Sequence, residues 1–70
     1  MRHVVADTAG VVWEILVTPG DSVAAGQEVA VIEAMKMRIP VESPVGGTVR
    51  AIAVAVGETI AKGAVLLTVE

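Results

Sequence analysis

The sequence predicts an all-β fold, a flattened barrel or sandwich of about eight short strands in two pseudo-twofold-related halves. Three observations predict it. The chain repeats itself: Gly10 to Glu33 aligns without a gap on Gly47 to Glu70, an offset of 37 residues. Its apolar content is 54%, mostly Val and Ala, with Trp13 as the single aromatic residue. The core must therefore be thin and built from small and β-branched side chains. Glycine recurs along the chain, and no apolar stripe at helical spacing survives it.

The length of 70 residues makes one domain, 1–70, with repeat halves at about 10–33 and 47–70. Cysteine is absent, so no disulfide or thiolate metal site holds the fold. The net charge is -3, and the basic residues Arg2, Lys36, Arg38, Arg50 and Lys62 form no run. That balance argues against nucleic-acid binding, which calls for a basic patch. No stretch approaches the ~18 apolar residues of a membrane span, and no segment has the pattern of a signal peptide. The expectation is a cytoplasmic protein that does not engage membranes.

A first strand carries His3. Each half then reads as strand, turn, short strand, turn, strand. Val11 to Val17 and Val49 to Val54 are the opening strands, rich in β-branched residues. Pro19-Gly20-Asp21 and Val56-Gly57-Glu58 have turn chemistry, with the acids serving their turns, and Gly26 and Gly63 mark a second turn in each half. Val29 to Glu33 and Val65 to Val69 are the closing strands. The apolar positions shared by the halves, 12, 15 and 17 against 49, 52 and 54, are spaced by three and then two. Strict alternation needs a spacing of two, so a β-bulge is expected near Trp13-Glu14 and Arg50-Ala51. The repeat matches Trp13 with Arg50, which favours a partly exposed Trp13 over a core anchor, though both readings stay open.

Between the halves lies Glu33-Ala34-Met35-Lys36-Met37. A two-residue turn at Met35-Lys36 sets Ala34 against Met37, Glu33 against Arg38 and Ile32 against Ile39. Acid then faces base, and apolar faces apolar. A turn at Lys36-Met37 would set Glu33 against Pro40, a poorer match. Such turns favour Asn-Gly or Asp-Gly because they need positive φ. Met-Lys breaks that rule, as functional sites often do. Two methionines at a solvated tip also suggest a surface that a partner reads. Lys62, whose repeat mate is Ala25, and the solitary His3 read as ordinary solvated side chains. No carboxylate pair and no metal-ligand spacing is present, so no catalytic residue and no metal site is assigned.

The chain resembles the biotinyl/lipoyl attachment domains, of barrel-sandwich hybrid fold, and specifically the biotin carboxyl carrier type. The residues that carry the likeness are Glu33-Ala34-Met35-Lys36-Met37, Pro44-Val45-Gly46-Gly47-Thr48-Val49 and Gly20-Asp21-Ser22-Val23-Ala24-Ala25-Gly26-Gln27. The resemblance covers essentially the whole chain. It implies that Lys36 carries biotin covalently, attached by a biotin ligase. It also implies that Met35 and Met37 are read by the ligase or other partners, with Ala34 and Glu33 as hairpin context. The arm would shuttle carboxyl groups between a biotin carboxylase and a carboxyltransferase, so the chain is a carrier and not an enzyme, expected to be monomeric alone. A lipoyl carrier is the alternative, but lipoyl relatives look like Asp-Lys-Ala or Asp-Lys-Val at this turn. An unmodified β-module for protein contact is another.

Three departures from the family stand out. The gap-free repeat leaves no room for the protruding thumb of some relatives. The proline common before the glycine at position 10 is missing from Ala6-Asp7-Thr8-Ala9. Arg38 stands where many relatives have Glu or another polar residue. With no Ala/Pro-rich linker ahead of the domain, the chain resembles the free-standing small biotinyl proteins of bacteria.

Overall fold

The structure, a computed structural model, describes all 70 residues. In chain order the strands are β1 (Arg2–Val5), β2 (Gly10–Ile15), β3 (Ser22–Val23), β4 (Glu28–Ala34), β5 (Met37–Glu42), β6 (Gly47–Ile52), β7 (Thr59–Ile60) and β8 (Val65–Val69), with no helix. They form two four-stranded sheets, in the orders β1-β8-β6-β3 and β5-β4-β2-β7, with antiparallel pairing throughout. The offset that carries Gly10 to Gly47 converts one order into the other. It takes β1 to β5, β2 to β6, β3 to β7 and β4 to β8. The correspondence thus reaches back to β1, earlier than the sequence alignment alone reveals.

The halves interlock. The Gly20 amide donates to the Val49 carbonyl at 2.8 Å, and Gly57 donates to the Val12 carbonyl at the same distance. Val49 and Val12 reply, donating to the carbonyls of Asp21 at 2.8 Å and Glu58 at 2.9 Å. Each turn of one half is therefore held by the opening strand of the other. The turn acids also close their own loops: Asp21 Oδ2 accepts from the Thr18 amide at 2.9 Å and Glu58 Oε1 from the Ala55 amide at 3.1 Å.

The core lies between the sheets and consists mostly of matched residues, Val4 with Val41, Val12 with Val49, Val23 with Ile60, Val29 with Leu66, Ala30 with Leu67 and Ile32 with Val69, joined by Ala6 and Val17. Both opening strands carry a register shift, between Val12 and Glu14 and between Val49 and Ala51. Trp13 and Arg50 are the residues left outside the pairing, as the three-then-two spacing predicts. Trp13 is 43% exposed, so it is not a core anchor.

The opening strands end at Ile15 and Ile52, two residues earlier than the sequence suggests. Leu16 makes a last bond to its neighbour, its amide donating to the Val29 carbonyl at 3.0 Å. The chain then leaves for β3 in the other sheet. Val17 is buried during this crossing, which is why its apolar character looks like a continuing strand.

Candidate functional site

The β4–β5 hairpin turns at Met35-Lys36, and Ala34 pairs with Met37, Glu33 with Arg38 and Ile32 with Ile39. Both turn residues have positive φ, +51° at Met35 and +64° at Lys36. This is the backbone of a type I′ turn, whose twist matches that of the strands it joins. Side chains crowd the backbone in this region, so each such residue costs on the order of 1 kcal/mol or more. No other non-glycine residue in the chain has positive φ.

The tip is open to water. Met35 is 94% exposed and Met37 61% exposed, and Lys36 is exposed between them. The Lys36 amine has no hydrogen-bond or ion-pair partner in the chain. No cavity opens on the surface, and no three metal-ligating side chains come together. What the arrangement can do chemically is present a primary amine, with apolar flanks, to another molecule.

Beneath the tip the hairpin is firmly seated. Ile32 is fully buried and pairs with Ile39 on one side and Val12 on the other. Gly10 lies against the Glu33 carbonyl so closely that a Cβ there would overlap it, and it would also stand 2.7 Å from Ile32 Cγ2. At the far end of β5, the Ser43 hydroxyl donates to the Val45 carbonyl. The Ser43 amide donates to the Gln27 carbonyl and its own carbonyl accepts from Gly26, both at 2.8 Å. Ser43 is the one buried polar side chain. Its repeat mate is Ala6, so no pattern in the sequence marks it.

One sequence expectation requires correction. Glu33 and Arg38 are partners in register, but they form no ion pair; the single ion pair of the chain is Arg50–Glu70, at 2.8 Å. The Arg38 guanidinium instead lies over the Trp13 ring, 4.0 Å from its centroid. Trp13 sits on β2, on the other side of β4 from Arg38. A long flexible cation gains from an aromatic face that a carboxylate in high-dielectric water does not match. Reaching across an intervening strand depends on strand order, which the local sequence does not encode.

The chain that folds into this two-sheet frame matches a known family. The model of the biotin-requiring enzyme family matches residues 3–69. The chain belongs to this family. Among its relatives in this biotin-requiring family is the biotin/lipoyl attachment protein of Bacillus subtilis, 41% identical over 84% of this chain and 81% of the relative. The alpha chain of human mitochondrial propionyl-CoA carboxylase is 44% identical over 87% of this chain. Pyruvate carboxylase of Staphylococcus aureus is 37% identical over 97%. The chain spans only 8% and 6% of the lengths of these two carboxylases. Among solved structures, urea carboxylase of Kluyveromyces lactis superposes with a TM-score of 0.93 at 28% identity, over 99% of this chain and 6% of that one. A single-chain long-chain acyl-CoA carboxylase gives 0.88 at 30% identity, over 94% and 7%. The chain is thus a biotin-requiring carrier domain rather than a catalytic one.

Proposed function

We propose that Lys36 is the residue that carries biotin and that the loaded arm moves carboxyl groups between a biotin carboxylase and a carboxyltransferase. The observation that carries this reading is the Met35-Lys36 turn. Its two residues are the only non-glycine residues held at positive φ, and its lysine has no partner in the chain. The strain is tolerated where the tip presents an amine, and the interlocked sheets hold the turn that bears it.

A biotin ligase that recognises the folded hairpin fits the apolar flanks Met35 and Met37, with Ala34 and Glu33 setting the tip on β4. Attachment is acyl transfer. The neutral Lys36 Nζ attacks the acyl carbon of biotinyl-adenylate. An amide C–N bond forms, the anhydride C–O bond breaks, and AMP leaves with the electron pair. The proton that Nζ loses goes to a base on the ligase or to solvent, since no side chain of this chain bonds Lys36. Bound biotin supplies the ureido nitrogen that is carboxylated. The chain supplies tethering, which makes each delivery effectively intramolecular.

This reading places the protein in the cytoplasm as a monomer, working with carboxylase subunits. The absence of cysteine fits a reducing compartment. No helix is long and apolar enough to cross a membrane. The name of the Bacillus relative admits lipoate as a second acyl group, which the flanking methionines disfavour.

The test is incubation with a biotin ligase, biotin and ATP, followed by peptide mass mapping. A single biotinyl group on Lys36, absent from Lys36→Arg, is the expected result. No modification, or modification elsewhere, overturns the reading, and loading by a lipoate ligase in preference selects the alternative.

A further inference from the structure

The Trp13–Arg38 pair stands on the outer face of the hairpin sheet. Ile32, Ile39 and Val12 share a row, and Ile32 and Val12 face the core. By alternation, Glu33, Arg38 and Val11 point outward, as do Val31 and Pro40. Trp13 is 43% exposed even with the Arg38 guanidinium over its ring. That guanidinium donates no hydrogen bond to any atom of the chain. Its planar fork of donors is therefore free, and an apolar rim lies beside it.

We propose that Trp13 and Arg38 form a docking site for the bicyclic ring of biotin carried on Lys36 of the same chain. The proposal rests on the Lys36 reading. Chemistry supports the match. The sulfur-containing ring is apolar and suits the exposed rim of the indole. The ureido oxygen is a strong acceptor, and carboxylation adds a carboxylate, which a guanidinium holds with two parallel bonds. The reach also fits. About eleven bonds separate the lysine Cα from the bicycle, roughly 14 Å when extended. Trp13 lies beside Ile32, four residues along β4 and its turn from Lys36, and one strand across. At about 3.3 Å per residue and 4.8 Å between strands, that separation is on the order of 10–14 Å. Docked, the arm is parked against its own carrier; released, it is free for delivery.

Because Trp13 is the only tryptophan, its fluorescence reports this site alone. The experiment compares acrylamide quenching of the unmodified and fully biotinylated protein, with loading verified by intact mass. The quenching constant should fall by roughly half if docked and free arms are about equally populated. Arg38→Gln, likewise compared loaded against unloaded so that the uncovering of Trp13 by the substitution cancels, should lose most of that protection. The Trp13 indole N–H resonance should shift on loading in the parent chain and not in Arg38→Gln. Equal quenching of loaded and unloaded protein overturns the docking site, as does protection that persists unchanged in Arg38→Gln. Failure to gain the biotin mass is a separate result, which overturns the Lys36 reading and removes the occupant with it.

Discussion

Gly10 packs its Cα against the carbonyl of Glu33, the residue that begins the approach to the Lys36 turn. Gly47 does the same against the carbonyl of Glu70 in the other sheet. Each contact lets an opening strand run tightly beside its closing strand. Gly10→Ala should therefore destabilise by about 1–3 kcal/mol, the range for forced overpacking. Gly46 is the control, because a Cβ there would meet nothing nearer than 3.5 Å. Urea unfolding of both variants checks this, and Gly10→Ala should also be biotinylated more slowly because its hairpin is displaced.

The positive φ values at Met35 and Lys36 predict a conflict between stability and recognition. Asparagine tolerates this backbone region better than methionine. Met35→Asn should raise stability by about 0.5–1 kcal/mol and lower the rate of modification by the ligase. Thermal unfolding and a biotinylation time course read the two effects separately. A variant equally good as a ligase substrate would remove Met35 from the recognition surface.

Lys36→Arg should abolish modification while leaving stability within about 0.5 kcal/mol, since the side chain touches nothing that the fold needs. Circular dichroism melts alongside streptavidin blotting measure both.

Ile32 anchors the hairpin from below, fully buried in the centre of the core. Ile32→Ala should cost about 2–5 kcal/mol. A domain of this size commands only about 4–10 kcal/mol in all. The variant should be largely unfolded at moderate denaturant and a poor ligase substrate.

The exposed Arg50–Glu70 ion pair should matter little despite its short 2.8 Å contact. Glu70→Gln should change stability by about 0.5 kcal/mol or less, and the difference should vanish at high salt. Denaturant titrations at low and high ionic strength provide the comparison.

Much of this was legible in the primary structure because the determining interactions are local or repeated. The match of Gly10 with Gly47 and the irregular spacing of Val12, Ile15 and Val17 located the bulges and favoured a partly exposed Trp13, which the structure decides. The pairing of Ile32 with Ile39 located the turn, because a one-residue slip would put Glu33 opposite Pro40. Two features escaped that reading. Val17 looked like strand because burial demands the same residue types whether or not a ladder partner is present. Glu33 and Arg38 looked like an ion pair because register brings their backbones together, whereas side-chain partners are chosen across the whole face.

By itself, then, the sequence determined that two like halves enclose a thin β core and that Lys36 stands at the unrepeated turn between them, because repeat, periodicity and turn pairing act over neighbouring residues. Only the tertiary structure decided that the halves interlock through Gly20 with Val49 and Gly57 with Val12, that Ser43 is buried, and that Arg38 crosses β4 to lie on Trp13. Those outcomes depend on strand order and on which faces meet, and residues distant along the chain acquire that relation only when the two sheets close on each other.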